Sequence, residues 1–541
     1  MRVLFTFTIC LVAVLSVNSQ DLLSQQKIEQ TFQLGIDQIS RGQFGPARES
    51  FSDLTTLLNP RDLRTIDAEY YLAYCALNLY HSDAEKRFSN FIVAYPNHPK
   101  AIVANFELAN FFYIEKNYKK SSSYFSKVNF SILSNEQQNR GRFRFGYSLF
   151  SQRSLVESLD QFNFIKSQGG QYGPAASYYA GFIEYGQSDF ENAYLDLQRA
   201  EQNEAYAKIV PYLLANVYYK QKKYDELLTY SSQLSGREGV GNSEEISLLV
   251  AEAYFKKGSN KEALAAYTTY LNGKEDTADK GILLGAGYAA FILSEDDIAL
   301  RYLKSSFSDT DSIGYYSAYY LGSLYLKRQQ KPMALTSFDI ARKFRSDKKL
   351  VEESTFQFAK IAYELGRADQ AIAEFENLLK TFPQSSYANE IRELLSQAYV
   401  NASNYNKAIA YIESLPSRSV AVDRAYQKAT LLKGLDLFNR EDYLQASQYL
   451  EKSVQYPINL DYVAEANFWN GESLSLQKQY EQAATYYLSV VGLTGYSNMD
   501  VLLKARYGLG YSYFNLLQYD RALFNFKEFV NKAPKSHSNY A

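Results

Sequence analysis

Histidine and cysteine, the usual nucleophiles, general bases and soft-metal ligands, number only three and two in this 541-residue chain. His81, His98 and His537 stand far apart, as do Cys10 and Cys75, so no four-ligand structural zinc site can be assembled from them. His81 and His98 read as exposed loop histidines. No GxxxxGKS/T, HExxH, GxSxG or CxxC stretch occurs. Gly281 to Gly287 carries glycines at phosphate-loop-like spacing, but no strand precedes it, and the segment reads as helix packing. The acidic clusters Glu244-Glu245, Glu295-Asp296-Asp297 and Glu352-Glu353 fall at helix starts or turns. There they complement the helix dipole and stay solvated. No catalytic residue, metal site or cofactor is expected.

The residue type in excess is tyrosine. The chain holds 49 Tyr, 34 Phe and one Trp. Tyrosine joins a large rigid apolar surface to a polar tip, which suits contact surfaces rather than covalent chemistry. Lys+Arg and Asp+Glu number 57 and 59, for a net charge of −2, and basic residues are not clustered, which argues against nucleic acid as partner. A hydrophobic content of 46% is too high for a disordered chain.

The N-terminus combines Arg2, an apolar run from Val3 to Val17 and the small residue Ser19. This is the pattern of a secretory signal peptide over residues 1–19. The run falls short of the roughly 20 residues that a bilayer span needs. Cys10 lies in mid-run after Ile9, which does not fit a lipidated cysteine. Cleavage after Ser19 leaves Cys75 as the only thiol, so no intramolecular disulfide is expected.

The elements that must carry the tyrosines appear as an internal repeat with a period near 36. Ala47, Ala84, Ser121, Ser158, Ala193, Leu227, Ala263, Ala299, Ala334, Ala371, Ala408, Ala446, Ala483 and Ala522 form one column. Twelve residues before each stands Gly35, Leu72, Ala109, Gly146, Gly181, Ala215, Ala251, Gly287, Gly322, Ala359, Ser396, Gly434, Gly471 or Gly510, small in all but one case. In the last unit Leu503, Tyr507, Gly510, Tyr511 and Phe514 fall at helical spacing, as do Ala522, Phe526 and Phe529. Each unit therefore predicts a helical hairpin, with the two small columns marking where its helices approach closely. Glycine recurring at one helical phase, despite costing about 1 kcal/mol relative to alanine, points to packing. Pro46, Pro99, Pro174, Pro211 and Pro332 fit first helical turns. Pro60, Pro96, Pro383, Pro416, Pro457 and Pro534 fit helix ends. The stretches 167–174 and 236–242 read as loops between units.

These columns resemble the tetratricopeptide repeat. In the final unit Tyr507, Leu509, Gly510, Tyr513, Ala522, Phe526 and Pro534 stand where that family has its consensus residues. The likeness runs over residues 20–541. It implies an all-α, tetratricopeptide-type helical-hairpin solenoid, a right-handed superhelix of about 14 repeats. Units ending in an aromatic and Pro, such as Tyr95-Pro96 and Phe382-Pro383, resemble the exported bacterial subtype found in envelope coordinating and outer-membrane assembly proteins. The periplasm or outer membrane is then the expected location. After Pro534 the sequence resembles the opening of another first helix, so further repeats or a further domain are expected beyond Ala541.

In this family the first helix of each hairpin lines a concave groove. The resemblance places Phe143, Tyr147 and Phe150 there, then Tyr178, Phe182 and Tyr185, then Tyr212, Asn216, Tyr219 and Lys220. It adds Tyr288 and Phe291, Tyr316 and Tyr319, and finally Tyr507, Tyr511 and Phe514. The lysine and asparagine set by which some members grip a C-terminal carboxylate is nowhere assembled at the family's positions. The expected function is a non-catalytic scaffold that binds partner proteins or extended peptides, with no nucleic acid and no integral membrane span. The alternatives are a repeat module of a larger secretion, motility or outer-membrane machine, or the substrate-recruiting part of an enzyme whose catalytic domain follows residue 541.

Overall fold

The computed structural model describes residues 23–59 and 62–539; the expected signal peptide lies outside them. Among the described residues the regular elements are α-helices and one short 3-10 turn at Phe130–Ile132, with no strand. None of these helices is long and apolar enough to cross a membrane.

Two compact units divide the chain, Met1–Lys257 and Gly258–Ala541. The first unit contains six helical hairpins. Their helices are 23–40 with Phe44–Leu57, Leu63–Asn78 with Ala84–Ala94, Pro99–Ile114 with Tyr118–Phe125, Asn135–Ser151 with Leu155–Gln168, Gly173–Gly186 with Phe190–Glu201, and Val210–Lys220 with Tyr224–Leu234. The helix Ser243–Lys256 closes it. The second unit opens on Asn260–Leu271 and continues with seven hairpins: Lys280–Ile292 with Asp296–Ser306, Ser312–Lys327 with Lys331–Ala341, Lys348–Glu364 with Ala368–Thr381, Ala388–Asn401 with Tyr405–Glu413, Val420–Asn439 with Tyr443–Val454, Leu460–Leu476 with Tyr480–Val491, and Met499–Asn515 with Tyr519–Lys532. Each unit is thus an all-α solenoid of helical hairpins, in the phase that the two small columns predict.

Every member of the alanine column is buried, Ser121, Ser158 and Leu227 included. The serines fit because their hydroxyls donate to the first-helix carbonyls of Ala109 and Gly146, at 3.0 and 2.8 Å. A buried hydroxyl without such a partner would be costly. The glycine column lies close to the alanine column, as Gly434 does to the Ala446 carbonyl, and also meets a large side chain of the second helix. A Cβ on Gly434 would lie 2.6 Å from Leu450 Cγ, and one on Gly471 2.7 Å from the Tyr487 ring. Gly35, Gly146, Gly181, Gly287, Gly322 and Gly510 meet Phe51, Phe162, Leu197, Leu303, Phe338 and Phe526 in the same way, always sixteen residues on. The large second-helix side chain lies flat on the first-helix backbone, and glycine makes the room.

The turn inside each hairpin has its own rule. One residue there adopts the left-handed backbone conformation: Gly42 and Gly366 in two hairpins, and in the other eleven Tyr80, Lys116, Arg153, Ser188, Lys222, Ser294, Gln329, Ser403, Glu441, Lys478 or Leu517, with φ of 57–64°. The next amide donates to the carbonyl five residues back, as Asn117 to Phe112 at 2.8 Å and Gln518 to Tyr513 at 2.9 Å. This Schellman closure satisfies first-helix carbonyls that would otherwise lack partners. Side chains cap many first helices: Asn498 accepts from the amides of Asp500 and Val501, and Ser134 and Gln137 form a reciprocal capping box. His98, expected as an exposed loop residue, is half-buried and caps Pro99–Ile114 by accepting from the Lys100 amide at 3.3 Å. Pro99, Pro174, Pro211 and Pro332 stand at helix N-termini as expected. The loop expected over 167–174 is shorter, because Leu155–Gln168 runs into it and Gly173 already opens the next helix.

Candidate interaction face

The predicted first-helix columns are in place, and most of their side chains are engaged within the fold. In the first unit Tyr147 is half-buried, with Tyr113, Tyr118 and Tyr179 at ring-centroid distances of 5.8, 5.5 and 5.4 Å. Tyr178 stacks on Tyr206 at 5.0 Å, and Tyr185 leans on Phe190 at 5.9 Å. Burial raises the pKa of both phenols. Tyr212 is half-buried, and its carbonyl accepts the Asn216 side-chain amide at 2.8 Å. The Tyr219 hydroxyl donates to Glu252 at 3.4 Å, and burial together with that carboxylate pushes its pKa up to about 12. Two members are open: Phe182, 43% exposed and edge-on to Phe150 at 5.8 Å, and Lys220 in the last turn of Val210–Lys220.

In the second unit Tyr288 packs edge-on against Tyr320 at 5.1 Å. Tyr319 donates its hydroxyl to Glu353 at 2.5 Å and Tyr316 to Asp347 at 2.7 Å. Tyr507 lies between Phe526 and Phe529, at 5.8 and 5.5 Å. Tyr511 and Phe514 are the open members, 46% and 54% exposed.

Two tyrosines outside the predicted columns organise these rings. Tyr179 touches Tyr147 and Phe150 of the preceding hairpin at 5.4 and 5.2 Å. Tyr320 touches Tyr288 and Phe291 of its own preceding hairpin at 5.1 and 5.2 Å. Both stand two residues before the small-column glycine of their helix, so each ring wedges onto the previous first helix. The sequence signal is a recurrence of aromatics at 32 and 29 residues' separation, shorter than the repeat period because the contact runs obliquely between neighbours.

Polar ties also span one repeat. Tyr124 donates to Glu85 at 2.7 Å, and Tyr230 to Glu201 at 2.9 Å. Ion pairs do likewise: Lys100 with Asp67, Lys327 with Asp296, Lys360 with Glu390 and Lys452 with Glu413, at 2.8 to 3.0 Å. The Glu295-Asp296-Asp297 cluster, expected simply to be solvated, also ties to Lys327 and Arg328 of the following hairpin. One acidic site is deeply buried. Glu184 and Asp196 share Lys166, and burial with the neighbouring Asp196 carboxylate pushes Glu184 up to about 7. Cys75 is buried, and burial pushes its thiol up to about 11, which makes it unreactive. Among the described residues no group of three or more His, Cys, Asp or Glu is gathered as a metal site would require.

Residues 356–420 and 504–536 match family models described as tetratricopeptide repeat. These segments are tetratricopeptide repeats. They contain the columns of Ala359 with Ala371, Ser396 with Ala408, and Gly510 with Ala522, and the other hairpins repeat the same phase. No curated protein matches the chain. Among solved structures it is similar to a tetratricopeptide repeat protein from Parabacteroides merdae, at 16% identity over 55% of this chain and 99% of that one, with a TM-score of 0.24. A second is the C-terminal part of a tetratricopeptide repeat-containing protein from Cytophaga hutchinsonii, at 18% identity over 48% and 98%, with a TM-score of 0.30. A third is Naa15/Naa10 bound to HypK-THB, at 10% identity over 95% and 94%, with a TM-score of 0.36.

Proposed function

We propose that this chain is a non-catalytic scaffold that binds partner proteins or extended peptide segments along the first-helix face of its tetratricopeptide repeats. The observation that carries the reading is Phe182. It stands open beside Phe150, at the end of a run of touching rings that begins at Tyr113 and passes through Tyr147 and Tyr179. A large apolar ring left in water on rigid neighbours gains by being covered, at little cost in ordering. Tyr178 and Tyr185 stand one helical turn to either side of it in Gly173–Gly186, and Tyr212, Asn216, Tyr219 and the charged Lys220 stand on the first helix of the next hairpin. Tyr511 and Phe514 offer a similar open pair in the second unit. The scaffold works in the bacterial cell envelope, a reading supported by the leader pattern of residues 1–19 and the aromatic-Pro unit endings.

The test is capture of partners by the chain lacking residues 1–19 from envelope extract of its own cells. Phe182→Ser with Lys220→Ser should lower capture at least fivefold while circular dichroism stays unchanged. Tyr178→Ala, Tyr185→Ala and Tyr219→Ala together should lower it further. Undiminished capture by the folded Phe182→Ser, Lys220→Ser variant would remove the reading. N-terminal sequencing of the exported chain should begin at Gln20; an intact Met1 end would remove the envelope assignment.

A further inference from the structure

A cleft of about 330 Å³ crosses the first helices of four consecutive hairpins in the second unit. Its lining includes Tyr363, Gln397, Asn401, Arg424, Lys428 and Tyr462, and no carboxylate. Three of these groups hold one another. The Tyr363 hydroxyl donates to Gln397 Oε1 at 3.1 Å and accepts from Asn401 Nδ2 at 3.0 Å. Gln397 Oε1 is thereby occupied, which leaves its NH2 group as the free end of that amide. Arg424 and Lys428 lie one helical turn apart in Val420–Asn439, and neither has an ion-pair or hydrogen-bond partner among the described residues. Like charges at that spacing destabilise a helix. Other first-helix lysines, such as Lys100, Lys327 and Lys360, have a carboxylate within 3 Å from a neighbouring repeat. Here that carboxylate is missing, and amide donors stand beside the two charges.

We infer that this cleft is a binding site for the acidic side chain of an extended peptide, whose Asp or Glu carboxylate supplies the missing partner of Arg424 and Lys428. A guanidinium and an ammonium converging with neutral amide donors suit a carboxylate, which accepts through both oxygens. Because the cleft is lined by successive first helices, the segment runs across them, with Tyr363 and Tyr462 flanking it. A net charge of −2 gives the chain no general attraction for anions, so capture has to be local. The inference rests on the first-helix face being the contact face of the proposed scaffold.

The experiment uses the full chain lacking residues 1–19, at 50 mM NaCl, with fluorescence anisotropy of peptides carrying an uncharged fluorophore. The probe is hexaglutamate, acetylated and amidated so that only side-chain carboxylates remain. Arg424→Gln with Lys428→Gln should weaken its binding at least tenfold. Lys86→Gln with Lys119→Gln, an equal charge change at exposed lysines in the first unit, should weaken it less than twofold. Arg424→Lys with Lys428→Arg keeps the charges and should retain binding, which separates loss of the site from loss of fold. No binding of hexaglutamate, equal loss in both glutamine pairs, or loss in the charge-keeping variant would overturn the inference. So would site-dependent binding confined to a Gly-Ser hexapeptide with a free C-terminus, or displacement of hexaglutamate by inorganic phosphate but not by equimolar acetate. Partner capture that depends on Phe182 while hexaglutamate ignores Arg424 and Lys428 would sink this inference alone. Capture indifferent to the first-helix face would sink the scaffold reading itself.

Discussion

Replacing Gly434 by alanine sets two effects of opposite sign against each other. Alanine improves helix propensity by up to about 1 kcal/mol, which is all that should be felt at Gly186, the last residue of Gly173–Gly186, where an added Cβ meets nothing within 4 Å. At Gly434 the same methyl would sit 2.6 and 2.8 Å from Leu450 Cγ and Cδ2, and 3.3 Å from the Ala446 carbonyl oxygen. Leu450 is fully buried and cannot swing away, so overpacking costs about 1–3 kcal/mol. The net loss for Gly434→Ala is therefore about 1 kcal/mol. Leu450→Ala alone leaves a void and should cost about 2–5 kcal/mol. In that background the Gly434 methyl has room, so the double variant should be more stable than Leu450→Ala by about 1 kcal/mol. The coupling between the sites is then about 2 kcal/mol in the favourable direction. Whole-chain denaturation of a repeat array is a poor readout, since cooperativity breaks down along it. Hydrogen exchange of peptides within Val420–Asn439 and Tyr443–Val454 reports the local opening free energy directly. Additive effects, or stabilisation by Gly434→Ala matching that of Gly186→Ala, would refute the packing account of the glycine column.

Lys478→Gly and Leu517→Gly should each raise local stability by about 1 kcal/mol, because a left-handed non-glycine residue carries strain of that order; Gly366→Ala should lower it by a similar amount, both read by exchange of the adjoining helices. Tyr319→Phe should speed exchange around Lys348–Glu364 by about fivefold, on the order of the 1 kcal/mol carried by a partly buried hydrogen bond. Glu184, whose ordinary value is 4.5, holds its proton up to about 7 when folded. Its contribution to stability is complete below pH 4.5 and is lost as pH rises through 7. Glu184→Gln should therefore flatten the fall in melting temperature between pH 5 and 8, with Lys166, Asp189 and Asp196 still in place; an unchanged slope would contradict the burial account.

The alanine column was legible because one small residue recurs at one phase, and all its positions are buried. Even Ser121 and Ser158 obey it, through hydroxyls that reach back to the first helix. The partner of each glycine was less legible, because Phe51, Leu197, Leu303 and Tyr487 share bulk rather than type. The left-handed turn residue was invisible. Tyr80, Arg153, Glu441 and Leu517 have nothing chemical in common, and backbone closure alone sets their conformation. Among the candidate residues, Phe182, Lys220, Tyr511 and Phe514 are open as an interaction face requires. Tyr147, Tyr219 and Tyr319 are tied to the next repeat by rings and carboxylates that only the fold brings near. Tyr179 and Tyr320 lie off the family's groove columns, and the Glu184, Asp196 and Lys166 group draws on three helices, so neither could be read from local spacing.

The ties between tyrosines, lysines and carboxylates have a mechanical consequence. Tyr124 to Glu85, Tyr316 to Asp347 and Lys360 to Glu390 each reach one repeat and no further. A tension applied along either unit therefore meets them in series rather than in parallel. The weakest neighbour contact gives way first while the others still hold. Each repeat that lets go frees about 36 residues, roughly 120 Å of contour. Extension then proceeds as a staircase rather than a single rupture. Acid or high salt, by weakening charged ties, lowers the height of the steps and leaves their length unchanged. Either unit then yields repeat by repeat, at a force set by pH and salt.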